Sequence, residues 1–545
     1  MENHSGSRHL KQRAGVEELD SGQPLTGQTP TGIVIRMFAP HSRLALAKRW
    51  RLPVVVLLML MVPVAVDQIW VHIWRVVPVG YTTTRLLGPA SKAGGFNYVR
   101  GLNQLARTGV TNKNDAAVLL IRAAGPELFP AQTWYGKNIL WQLDMKPFKP
   151  DASRPITLSQ WAQEHPLPNN PNRDNRWHLE LNLGSRAWTA AQYPVMAQWI
   201  QANRGPLALL ARAVKRPRYY VPLESPDRGL IHARVPMLQP LSFLAQVAAM
   251  RGMMLLGQGN AEGAIGWAKR IHQLALLVTQ SPDVASYLVG IRFESIALRM
   301  VQAAANSGQL SAKRLGALLA SIEIRPSLPP LAEALDDQRY TGLSMIMMLD
   351  QNGLMILNIK GMSKTAKEVW NALWPIDYTA MMREENQIFD AEVVASKLSD
   401  FTQECRRMKH FKRIINGYAS PVSVILDPAN IAMVLANPNA VHLACYRRSI
   451  TTQRRLTEIA IALAKFKKAR GKYPAILADL IPTDLKSSPR DAFSGAPFQY
   501  AVTADGRGFQ VKSMGLPAGV GGLNLRRGVA ANIFVRGGNW GQAAK

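Results

Sequence analysis

The sequence predicts a mainly α protein with one N-terminal transmembrane helix, a helical-hairpin bundle and a small C-terminal α+β module. Three observations carry this. An unbroken apolar run starts at Leu52, apolar residues recur at three- and four-residue spacing from Leu241 onward, and after Gly471 turn residues alternate with short strand-like runs. With 545 residues and 47% hydrophobic content, the chain has enough apolar surface for a large core and several domains.

Residues 1–51 are polar, rich in Gly, Ser, Thr and Gln, and end in the basic residues Arg43, Lys48, Arg49 and Arg51, which predicts a disordered basic tail. Leu52 to Val66 reads LPVVVLLMLMVPVAV, and with IWVHIW the apolar character continues to Val79. A bilayer needs about 20 residues, so 52–79 is long enough to span it. A cleaved signal peptide or a buried core helix are the competing readings. The anchor is favoured because Trp70 and Trp74 supply an interfacial belt and cations crowd the N-terminal flank. Arg36, Arg43, Lys48, Arg49 and Arg51 precede the span while Arg85 and Lys92 follow it, which places the N-terminus in the cytoplasm and the bulk of the chain outside. Later apolar runs are interrupted, at 345–359 by Asp350, Gln351 and Asn352, and at 422–436 by Asp427 and Asn430. One span is expected.

After the anchor, 80–240 reads as a mixed, mainly helical region with a loop at Pro166 to Arg176. Residues 241–437 read as a helical-hairpin bundle. Its first hairpin turns at Gly257, Gln258, Gly259 and Asn260, with Ala249, Gly252, Ala264 and Ala268 small enough for close helix approach. Further helices are expected near 284–306, 311–322, 331–349, 363–374 and 378–398. The segment 438–545 begins with a long helix to Arg470, striped by Leu443, Tyr446, Ile450, Leu456, Ile459, Leu463 and Phe466. Gly471 and Tyr473-Pro474 stop it, a short helix should bury Ile476, Leu477, Leu480 and Ile481, and Asp505-Gly506 should close a hairpin between PFQYAV and GFQVKSMG.

Sixty-five Lys and Arg against 36 Asp and Glu give a net charge of +29, which favours acidic surroundings without naming a partner. The densest cationic run is Arg406, Arg407, Lys409, Lys412 and Arg413. A solvated face is the plain reading. The sharper one is contact with anionic lipid or envelope polymer, weakened by salt. No nucleic-acid signature is present, and none is expected as partner. Cys405 and Cys445 are the only cysteines, either a disulfide in an oxidising compartment or two buried thiols.

The histidines form no metal-ligand spacing, and no GxSxG elbow occurs. GQGNAEG at 257–263 matches no phosphate-binding pattern and reads as a turn. Neighbouring acids at Asp336-Asp337 and Glu384-Glu385 point about 100° apart on a helix, so each pair is better suited to ion pairing with Arg339 or Arg383 than to sharing a site. No cofactor, metal or catalytic residue is expected.

The order from the long helix through G-x-YP, L-x-x-L, the turn Asp491-Ala492-Phe493-Ser494-Gly495 and the strand Pro497-Phe498-Gln499-Tyr500 resembles the C-terminal module of the type II secretion major pseudopilins. That family's calcium-binding aspartates are replaced by GLPAGVGGLNLRRG at 515–528, so calcium is not expected. The anchor also lies far upstream and lacks the family's early glutamate, which argues against pilus assembly. The chain as a whole resembles uncharacterised bacterial membrane-anchored helical envelope proteins. Together these resemblances imply a single-pass inner-membrane protein with a periplasmic body. Its function is left among a non-catalytic scaffold with a protein partner, a binder of anionic lipid or envelope polymer, and an enzyme with a site assembled from distant residues.

Overall fold

Side-chain caps and glycines of positive φ set several helix ends among the described residues. The computed structural model describes residues 55–56, 59, 61–62, 77–88, 96–130, 132–148, 154–165, 173–226, 229–352, 363, 365, 377–418, 440–516 and 533–538. The tail 1–51, most of the anchor stretch, nearly all of 363–374 and residues 517–528 lie outside them. Within the anchor stretch, Val55, Val56, Met59, Met61 and Val62 are helical and exposed. The chain divides into two units, Met1–Val66 and the larger Asp67–Lys545.

Its helices are α1 Tyr98–Arg107, α2 Ala117–Ala124, α3 Trp134–Gln142, α4 Leu158–Glu164, α5 Arg173–Leu183, α6 Pro194–Ala202 and α7 Arg204–Ala213. Then come α8 Leu238–Gly257, α9 Ala261–Val278, α10 Val284–Asn306, α11 Ala312–Glu323, α12 Leu331–Asn352, α13 Tyr378–Ser396, α14 Phe401–Tyr418 and α15 Ala440–Arg470. Asn97, Thr133, Thr157, Asn260, Asp283, Ser311 and Asp377 each accept a backbone N–H from the first turn they precede. Each such cap is worth about 1 kcal/mol.

The α8–α9 hairpin turns where expected. Gly259 takes φ +86°, and the Asn260 side chain accepts from Gly263 N at 2.7 Å. Gly257 is required for another reason: a Cβ there would stand 2.0 Å from the Trp188 carbonyl oxygen, so backbone meets backbone. By length and hydropathy α8 is the one helix among the described residues able to cross a membrane. It is mostly buried, however, packed by α2, α5, α6, α7, α9 and α10, and so serves as a core helix.

α9 packs on α10, and α10 and α11 pack on α15. The stripe expected on α15 is buried except for the half-buried Tyr446, but Ile459 to Leu463 are all buried in succession, so burial wraps the helix. The cause is a second layer: the sheet covers the side that the hairpins leave open. A smaller core joins α1, α12 and α13 through Tyr98, Leu343, Ile346, Met382 and Ile388.

Gly471, at φ +81°, ends α15 and donates to Lys467 O at 2.8 Å. The short helix that follows is a 3-10 turn, Leu477–Leu480, and it buries Leu480 while Ile476 stays exposed, because three residues per turn cannot place all four apolar residues on one face. The strands β1 Gln499–Val502, β2 Gly508–Lys512 and β3 Phe534–Gly538 form an antiparallel sheet in the order β1-β2-β3. Gly506, at φ +66°, makes the β1–β2 turn, and β3 joins in the register Val511↔Val535. Asp491 ties this module together. Its carboxylate accepts from Phe493 N, Met514 N and the hydroxyls of Thr452 on α15, Ser494 and Ser513.

Candidate functional site

Two polar zips hold α10 against α15. Ser295 Oγ donates to Gln453 Oε1 at 2.8 Å, Gln453 Nε2 donates to Ser295 O at 3.2 Å, and Gln302 Nε2 donates to Thr457 Oγ1 at 2.7 Å. Beside them the two helices and Ile533 to Val535 line a groove of about 620 Å³. Its walls include Leu288, Val289, Ile450, Leu456 and Phe534. The volume equals that of about twenty water molecules at roughly 30 Å³ each.

Arg292 and Arg299 also line the groove. Seven residues apart, they lie two helical turns apart on one face, a rise of about 10 Å. Arg299 donates to Ser295 Oγ at 2.8 Å. It is solvent-accessible along its length yet densely surrounded by protein, as a side chain in a deep open groove must be. Burial first, and the Arg292 charge second, push its pKa down. Among the described residues, no carboxylate pairs with either guanidinium, and the residues lining the groove include no Asp, Glu, His or Cys. Two like charges beside apolar walls, Arg299 partly desolvated, are unfavourable alone and favourable around an anion. Ser295 and Ser449 also line the groove.

The cationic run singled out from sequence lies elsewhere, on α14. Arg406, Arg407 and Arg413 are exposed there, and Lys409 and Lys412 are half-buried. α14 packs through Phe401, Cys405, Met408 and Ile415 against α13 and α15, which turns the cations outward. Cys405 and Cys445 are both buried and unbridged; the Cys405 thiol hydrogen-bonds Cys445, and this bond and burial push its pKa up. The structure thus brings the two cysteines together as thiols.

Arg339 is fully buried and pairs with Asp336 at 2.9 Å, as expected, and also with Asp390 at 2.7 Å. Glu385 is buried and its pKa is driven well up, chiefly by burial and then by the Glu392 charge. His272 meets Glu294 at 2.5 Å inside the α9–α10 pair, with burial lowering the His272 pKa. That contact is closed to solvent and serves the core. No group of His, Cys, Asp and Glu suited to a metal ion occurs among the described residues.

Sequence reading passed over Arg292 and Arg299. The available signal was their seven-residue spacing on a largely apolar helix, with no acid three or four residues from either to neutralise it. Comparison with protein-family models, curated proteins and solved structures found no match.

Proposed function

We propose that this is a single-pass bacterial inner-membrane protein, anchored by 52–79, whose periplasmic body binds an anionic amphiphile in the groove between α10 and α15. The observation that carries the reading is the unneutralised pair Arg292 and Arg299 beside an apolar wall. An acyl chain fills such a wall, and a carboxylate or phosphate offsets the two cations. The exposed cations of α14 suit contact with anionic headgroups, and the pseudopilin-like order at 471–500 favours an envelope location. A pure scaffold leaves the groove cations without a purpose.

The test is displacement of a fluorescent fatty-acid probe from the purified full-length protein by oleate, lysophosphatidylglycerol and oleyl alcohol. Either anion should displace the probe, the alcohol should not, and the stronger anion names the headgroup class. Arg299→Met should weaken the anions about tenfold to a hundredfold, since a charge-assisted contact is worth about 1.5–3 kcal/mol. Equal displacement by the alcohol, or unchanged affinity in Arg299→Met, overturns the proposal.

A further inference from the structure

A second concavity, distinct from the groove, is built where α1, α3 and the segment 220–226 meet; its volume is about 420 Å³. Its polar groups are held from behind. Asn103 grips the segment twice, donating to Leu223 O and accepting from Leu223 N, each at 2.8 Å. Asp115, buried, accepts from Tyr220 N at 3.0 Å and from Ala117 N at 2.9 Å, joining the segment to α2. Glu224 Oε1 accepts from Asn138 and Gln142 of α3, and Glu224 lines the cleft.

The cleft presents groups with unused bonding capacity. Tyr220 lines the wall, its hydroxyl sealed from solvent and without a hydrogen-bond partner. Arg100 and Arg107 line the same walls with no carboxylate paired to either among the described residues. Trp134, at the first position of α3, is 65% exposed on the rim. An indole plate, a fixed carboxylate acceptor and two guanidinium forks are the inventory that recognises vicinal hydroxyls above an apolar sugar face, with one net positive charge left over.

We infer that this cleft binds a saccharide carrying one anionic group. The C–H face of the sugar lies on Trp134, its hydroxyls bond Glu224, and its anion meets Arg100 and Arg107. The inference is independent of the amphiphile groove, and its failure leaves that reading untouched.

Titration calorimetry on the full-length protein in a non-glycosidic detergent, with glucuronate, glucose and inorganic phosphate as probes, tests it. Glucuronate should bind about tenfold more tightly than glucose, or about 1.4 kcal/mol. Trp134→Ala, at an exposed position that does not affect folding, should weaken both sugars about tenfold. Arg107→Ala should abolish the advantage of glucuronate while leaving glucose unchanged, and Glu224→Gln should weaken both sugars. Three results overturn the inference: no binding of either sugar at millimolar concentration, sugar binding indifferent to Trp134→Ala, or phosphate binding as tightly as glucuronate with the same indifference.

Discussion

Glu392 on α13 is 2% exposed, and one of its carboxylate oxygens is buried with no partner. Burial alone pushes its pKa from 4.5 to about 8. A carboxyl whose folded pKa is raised favours the folded state below the unfolded pKa, where both states are protonated, and loses that advantage as pH rises through the folded pKa. Between pH 4.5 and pH 7 the unfolded chain ionises this group while the fold still holds it neutral. At about 1.4 kcal/mol per pH unit the loss is ~3 kcal/mol at pH 7, and ~5 kcal/mol once pH exceeds 8. Unfolding a body of this size carries an entropy of about 1 kcal/mol/K, so each kcal/mol moves Tm by roughly 1 °C. Glu392→Gln keeps the shape and removes the ionisation. The variant should melt about 3 °C above the parent at pH 7 and about 5 °C above it at pH 9, converging near pH 5. Intrinsic-fluorescence melting from pH 5 to pH 9 checks this, and parallel Tm profiles for the two proteins would refute the assignment.

Two further outcomes follow from the same structure. Asp491→Ala leaves Phe493 N, Met514 N and the hydroxyls around them without an acceptor, so it should destabilise the fold by about 3–5 kcal/mol. Hydrogen exchange should rise first at β2, with Ser513 at its end, and unchanged protection there would contradict the role given to this carboxylate. If 52–79 spans the membrane with the N-terminus inside, alkaline phosphatase fused after Lys545 should be active in cells, and activity of a cytoplasmic reporter at that point would reverse the orientation.

Local rules read the parts of this fold that are locally determined. Asn260 and Gly259 marked the α8–α9 turn because a side-chain cap and a positive φ act within four residues. Gly471 and Asp505-Gly506 were legible for the same reason. The strand β3 was not, since FVRGG has little β propensity by itself and is held by pairing with β2 more than twenty residues earlier in the chain. Burial all round Ile459 to Leu463 was equally hidden, because the second layer comes from that sheet. The candidate groove follows the same logic: its cations sit on α10 and its other wall on α15, about 150 residues apart in the chain. The contiguous run on α14 drew attention because sequence displays adjacency, whereas Arg292 and Arg299 gain meaning only from what packs across from them. Tyr220 and Glu224 were invisible for that reason too, being held by Asp115, Asn138 and Gln142 from other elements.

For the two cysteines, the proposed periplasmic location and the structure pull in opposite directions. An oxidising compartment favours a bridge, and the hydrogen bond from Cys405 to Cys445 brings the sulfurs into contact. Exchange nevertheless needs an accessible thiolate. Both side chains are buried to within 1% of complete, and the bond to Cys445 together with burial pushes the Cys405 pKa up, so thiolate is scarce and an oxidant has no approach. Burial should win. Protein taken from membranes without reductant should resist alkylation while native and take up two alkyl groups after denaturation. Uptake of none until a reductant is added would show that the bridge closes before α14 docks on α15, and that folding order, not native accessibility, decides the redox state.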